Sequence, residues 1–163
     1  MARMSQNHLS RSIVVEADPA TVYAVVSDVT RTGEWSPICS AAWWEEGVGP
    51  EEGTWFGGRN EVPGRTWETR SRVVTADPGR EFRWQVGGEY VVWAYLLRAV
   101  GAGEQTHTEL TETWDLNDAT EQMFATKYAE TAEAMLEQRR DEARTGIPAT
   151  LAAIKRIVES QAG

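Results

Sequence analysis

Residues Thr66–Val86, TWETRSRVVTADPGREFRWQV, alternate between charged and uncharged side chains twice, with a turn between the two runs. In the first run Glu68, Arg70 and Arg72 fall on one phase, and Trp67, Thr69, Ser71 and Val73 on the other. In the second, Glu81, Arg83 and Gln85 alternate with Phe82, Trp84 and Val86. Period two marks a strand with one wet face and one covered face. Asp77-Pro78-Gly79 joins the runs with residues suited to a tight reversal. The stretch therefore predicts an antiparallel pair, Thr66–Thr75 and Glu81–Val86, with an aromatic inner face.

The same pattern continues on both sides. Upstream lie strands Ile38–Trp44 and Thr54–Val62, separated by a Gly-, Pro- and Glu-rich loop; downstream lie Tyr90–Val100 and Gln105–Leu116. Pro63-Gly64, Gly87-Gly88 and Gly101-Ala102-Gly103 mark the turns. Outward Arg59 and Arg98 turn Phe56, Gly58 and Asn60, and Trp93, Tyr95 and Leu97, to the inner face. On the last strand, Leu110 and Trp114 inward carry Thr108 and Glu112 with them, and leave His107 and Glu109 on the wet face. Gly57-Gly58 inside a strand pattern predicts a bulge or close helix approach, since no Lys-Ser/Thr follows to make a phosphate loop.

Before this meander stand a strand, His8–Glu16, and a helix opened by Asp18-Pro19, which provide a cap and a first-turn proline. A second short helical turn covers Thr30–Trp35. After it, Asp118 and Glu121 carry the spacing of a capping box. Phe124, Tyr128, Ala132, Met135, Ala143, Ile147, Leu151, Ile154 and Val158 then form a helical apolar stripe, broken at Arg139. Gly146 and Pro148 predict a bend or break, which leaves open whether residues 118–144 are continuous with the closing segment. The charge run Glu137–Arg144 reads as a solvated helical face. A curved antiparallel sheet has one apolar face to cover, and only the last helix is long enough to cover it. The predicted fold class is α+β, a helix-grip fold: about seven strands wrapped around a long C-terminal helix, with two short helices after the first strand.

These segments resemble a known family. DPATVYAVVSDVTRTGEWSP from Asp18 to Pro37, GTWFGGRN from Gly53 to Asn60, and W-x-T-x-S-x-V from Trp67 to Val73 look like SRPBCC (START-like) proteins of the polyketide cyclase/dehydrase-like branch. PGREFRWQV, the W-x-Y at Trp93–Tyr95, THTELTETW and the tail GIPATLAAIKRIVE continue the resemblance in order; Asp118–Arg144 match less well. The resemblance implies a cavity between sheet and helix, and a superfamily whose members range from lipid carriers to cyclases and oxygenase domains. It also implies that Asp28 and Trp35 lock the short helices to the sheet. The cysteine–histidine patterns of the oxygenase branch are absent, since the chain has only Cys39, His8 and His107.

Composition narrows the classes. The length of 163 residues suits a single domain, residues 1–163. A net charge of −9, with no basic stripe, argues against nucleic acid and an anionic membrane surface. No stretch approaches the roughly 20 apolar residues of a membrane span, so no membrane insertion is expected. The polar stretch Met1–Ser10 lacks a signal-peptide core, and one cysteine excludes an internal disulfide, so the expected compartment is the cytoplasm. Cys39 reads as a small buried residue, and no metal or cofactor set is expected. Eight Trp against three Phe and four Tyr point to a wide aromatic interior.

The expected partner is a hydrophobic small molecule: a lipid, polyketide or aromatic compound. The candidate ligand-binding residues are Phe56, Asn60, Trp67, Ser71, Trp84, Trp93, Tyr95, Glu112, Tyr128 and Leu151. For Glu112 two readings stand. It either pairs with an arginine, a helix N–H or water at the open end of the sheet, or faces the cavity as an acid or base. An enzyme of the cyclase type would draw on Glu112, Tyr95 and Tyr128 for its acid–base chemistry. A third class is a protein-interaction module with Trp43 and Trp44 as an exposed anchor; two adjacent tryptophans on a strand must face opposite sides, so at least one is expected at the surface.

Overall fold

The computed structural model describes residues 6–47, 49–101 and 103–161. Its strands are β1 (His8–Val15), β2 (Cys39–Trp44), β3 (Trp55–Val62), β4 (Arg65–Asp77), β5 (Glu81–Val86), β6 (Val92–Val100) and β7 (His107–Asp115). All pair antiparallel in one seven-stranded sheet of order β1-β7-β6-β5-β4-β3-β2. β2 through β7 form a meander, and β1 returns to pair with β7. The predicted strands all form, with shifted ends. Tyr90 belongs to the turn before β6, and Gly103–Gln105 form a 3₁₀ turn before β7. Ala102, in the predicted Gly101–Gly103 turn, lies outside the described residues.

Helix α1 (Pro19–Val26) starts where Asp18 accepts from the Thr21 N–H at 2.8 Å, with Pro19 in the first turn. A 3₁₀ helix, Val29–Glu34, follows one residue earlier than the predicted turn because Asp28 caps it, accepting from Thr30 N at 3.1 Å. The β-branched face of α1 survives by packing, as Val22, Val25 and Val26 are buried.

The helical tail departs from expectation in three ways. First, the cap of α2 (Asp118–Tyr128) is Asn117, whose side chain accepts from Thr120 N at 3.0 Å. Asp118 and Glu121 therefore make no capping box; Glu121 instead accepts from Asn7 Nδ2 at 2.6 Å. Second, the chain breaks at Ala129, which takes φ 45°, and restarts through a 3₁₀ turn, Ala129–Thr131. Third, α3 (Ala132–Gln161) runs thirty residues straight through Gly146 and Pro148. Pro148 stands on the exposed face, where water can satisfy the carbonyl its missing N–H leaves free. Asp118–Tyr128 is thus a helix of its own, and residues from Ala132 belong to the closing helix.

The core lies where α1, α2 and α3 close over the concave face of the sheet. Val73, Phe82, Leu110, Ile147, Ile154 and Val158 are all fully buried there. This is the helix-grip α+β fold. The charge run is not a solvated face throughout. Arg140 is buried, donating from Nε to Asn7 Oδ1 at 3.0 Å and from Nη1 to Glu133 at 2.9 Å and Glu137 at 3.2 Å. Long stems let arginine cover apolar surface while its head finds acceptors.

Gly57 marks neither a bulge nor a helix contact. The register runs evenly past it, opposite Trp43, and the bulge falls in β2 between Cys39 and Ala41. A Cβ on Gly57 would stand 2.5 Å from Trp43 Nε1 and Cε2, so the indole lies flat on the bare backbone. Gly57→Ala is therefore expected to destabilise by about 1–3 kcal/mol, the usual cost of overpacking. Urea midpoints should show it, with most of the loss recovered in the Gly57→Ala/Trp43→Ala pair.

Candidate functional site

The concave face and the helices enclose a cavity of about 380 Å³. Its wall is aromatic because the inward phase of β3 to β7 carries Phe56, Trp84, Trp93 and Tyr95. Trp84 is the hub. It stacks on Trp93 at 6.2 Å and 10°, and lies 5.5 Å from both Phe82 and Tyr95 and 6.3 Å from Phe56. Trp44 meets Phe56 edge-on at 5.7 Å, so it packs against this wall, and the exposed partner of the pair is Trp43. Trp44 is therefore unavailable as a surface anchor.

Nine of the ten sequence candidates line the cavity: Phe56, Asn60, Trp67, Ser71, Trp84, Trp93, Tyr95, Glu112 and Tyr128. Leu151 does not. It is buried in the core, while the α3 residues turned to the cavity are Arg139, Glu142, Ala143, Gly146, Ile147 and Thr150. The 3.6-residue period separates these two faces, and the apolar stripe alone does not distinguish them.

Polar groups are few. Asn60 Nδ2 reaches Thr69 Oγ1 at a long 3.4 Å, and Ser71 is buried. Cys39 is only half-buried; it lines the cavity, donates to Ala41 O at 3.3 Å, and burial raises its thiol pKa. Glu112 and Tyr95 face each other across β7 and β6 in register. Glu112 is 4% exposed, and its Oε1 has no hydrogen-bond partner. Arg11 stands opposite it on β1, yet turns its guanidinium to Ser10 O at 2.8 Å. Neither an arginine, a helix N–H nor open water holds this carboxyl, so the cavity-facing reading of Glu112 is the one its geometry matches. Burial raises its pKa well above the ordinary 4.5. The Tyr95 phenol is raised too, first by burial and then by Glu112, with a hydrogen bond involving Trp35 pulling the other way. Both shifts favour the protonated forms, a carboxylic acid beside a phenol on an aromatic wall.

Sequence reading missed the other polar end. Arg139 lines the cavity, with its guanidinium 5.2 Å from the Trp67 ring and 5.6 Å from Phe124. Arg65 lies 4.0 Å over Trp67 and donates to Glu142 at 2.7 Å. The signal was present, because Arg139 interrupts the apolar stripe, and a charge at such a position must find an acceptor, a ring or a ligand.

Among the described residues no helix is long and apolar enough to cross a membrane. A search of curated proteins returned no match. Among solved structures, the chain is similar to the Polyketide_cyc-like protein Cgl2372 from Corynebacterium glutamicum. The two are 45% identical, with 94% of this chain and 92% of that one covered at a TM-score of 0.67. The Zhui aromatase/cyclase from Streptomyces sp. R1128 shares the fold at 20% identity, with coverage of 96% and 95% and a TM-score of 0.63. The di-domain ARO/CYC StfQ of the steffimycin biosynthetic pathway does so at 15% identity. There the chain matches 99% of its own length and 54% of the larger protein, with a TM-score of 0.64. Residues 6–144 match the family described as polyketide cyclase / dehydrase and lipid transport, and with the helix-grip cavity in view, the chain belongs to that family, within the SRPBCC superfamily.

Proposed function

We propose that the chain, as a single domain acting in the cytoplasm, binds a hydrophobic small molecule (a lipid, polyketide or aromatic compound) in the cavity under α3. The carrying observation is an aromatic-walled space of about 380 Å³ with few polar groups, one of them a carboxyl oxygen left unpaired. Ligand sites are of this kind, mostly apolar with a few orienting groups. An unpaired buried polar atom costs about 1–3 kcal/mol, so a ligand hydroxyl or carbonyl that met it would recover part of that cost.

The test is occlusion. Ser71 is buried at the wall between Phe56 and Val86. Ser71→Trp should fill the space and weaken binding of the neutral fluorophore phenylnaphthylamine by about tenfold or more, or about 1.4 kcal/mol. A folded Ser71→Trp protein that bound it as well as wild type would place the binding elsewhere.

A second reading has its own observation. Burial raises the pKa of Glu112 well above 4.5, which favours its protonated form, and the carboxyl faces Tyr95 on the wall. A neutral carboxylic acid can give its proton to the carbonyl oxygen under attack, and the carboxylate so formed can take one from the attacking acidic carbon, which restores the acid; loss of water repeats the exchange, with the leaving hydroxyl protonated and an α-proton removed. Similarity to aromatase/cyclases supports this reading at the level of fold. Loss of turnover in Glu112→Gln on a poly-β-ketone analogue would support it; an undiminished rate would remove the carboxyl from the chemistry.

A further inference from the structure

We infer that the cavity selects an acidic ligand, whose negative group sits on Arg139 at the α3–β4 end while its apolar body lies along the tryptophan wall. The inference deepens the ligand-binding reading and rests on it. It begins with a mismatch of charges. Two guanidiniums, Arg65 and Arg139, share one carboxylate, Glu142. Arg65 takes the hydrogen bond at 2.7 Å. Arg139 Nη1 stands 3.8 Å from the same carboxylate, beyond bonding reach, and is buried without a partner. Glu68, beside Trp67 on β4, turns its carboxylate outward to Arg59 at 3.7 Å. Lys127 adds a further positive charge, 5.3 Å from the Tyr128 ring. A chain of net charge −9 thus keeps an excess of cations at one end of its cavity.

The geometry suits a ligand group better than solvent. The Trp67 and Phe124 rings flank the Arg139 guanidinium, which supports its plane and leaves its N–H edge as donor. The position is strained as it stands: burial and the neighbouring Arg65 both disfavour the charged form of Arg139. An anion would supply the missing acceptor and relieve that repulsion together, and a planar guanidinium edge fits a carboxylate.

The opposite pole completes the ligand's outline. The register carries Ala76, near the far end of β4 from Trp67, to Phe82, then to Tyr95 and Glu112. The cavity therefore runs from a cationic end at Arg139 past Trp84 and Trp93 to the Glu112 carboxyl and the Tyr95 phenol. Its complement is an aromatic or polycyclic acid with a hydroxyl or carbonyl group remote from the acid.

A matched pair of fluorophores tests this. Anilinonaphthalene sulfonate and phenylnaphthylamine share one aromatic body and differ by the anionic group. Titrations would compare wild type, Arg139→Gln and Glu142→Gln. Wild type should prefer the anion by about tenfold or more, the range of a hydrogen bond to a charged group. Arg139→Gln should lose that preference, with the anionic probe weakened by about tenfold more than the neutral one. Glu142→Gln, which releases Arg65 as a second donor, should tighten the anionic probe by about threefold, the scale of a single partly buried charge pair. Equal affinities in wild type, or a preference that survives Arg139→Gln, would overturn this inference and leave the carrier reading standing. Failure of both probes to bind wild type would overturn both.

Discussion

Trp84→Ala is expected to cost about 3 kcal/mol of stability, the lower end of the range for deleting a large aromatic, since the indole is packed on its neighbours but only partly buried. Four aromatic partners surround this ring within 6.3 Å. They come from three strands, β3, β5 and β6, so the indole ties the middle of the sheet together. Water cannot compensate for the loss, since the space gained adds to an apolar cavity. Guanidinium unfolding would show the midpoint falling while the slope stays constant. A loss below about 1 kcal/mol would mean that the wall is held by α3 rather than by its own aromatic contacts.

The second large effect is a pH dependence carried by Glu112. Unfolded, this carboxyl ionises around its ordinary value of 4.5; folded, burial keeps it neutral well above that. The unfolded chain therefore releases a proton that the folded one retains. The stability associated with neutral Glu112 is full below the unfolded value and is lost as pH rises through the folded one. Glu112→Gln stays neutral in both states. Its stability should match wild type to within a constant near pH 4 and then pull ahead, by about 1.4 kcal/mol per pH unit once the window is entered. Subtracting the two denaturation curves cancels the other titrating groups. A difference that stays flat with pH would show that the folded protein ionises Glu112 as readily as the unfolded chain does.

How much of this was readable in the chain follows from which forces were local. Strand faces were legible because charges fix them. Glu68, Arg70 and Arg72 outward leave Trp67, Thr69 and Ser71 nowhere but inside, and the cavity wall follows from that alternation. The cap at Asp18 was likewise set by neighbouring residues, whereas the cap at Asp28, which starts the 3₁₀ helix one residue early, was not read. The helical tail was harder because its decisive partners are remote. Glu121 answers to Asn7 and not to Asp118, and Arg140 is drawn inward by the same Asn7. Nothing local marks Ala129 as the break, while Pro148 announces one that its exposed position makes unnecessary. Leu151 and Ile147 belong to one apolar stripe, and only the rotation of α3 against the sheet decides which of them sees the cavity. Arg139 was visible as an interruption, but its meaning depended on Trp67, far away in sequence.

The most direct test of the central claim is native mass spectrometry of the protein purified from its own host, comparing the intact mass before and after denaturation. The account predicts a retained apolar small molecule that leaves on unfolding. An empty protein that also takes up none of a broad panel of lipids and aromatic compounds would contradict it.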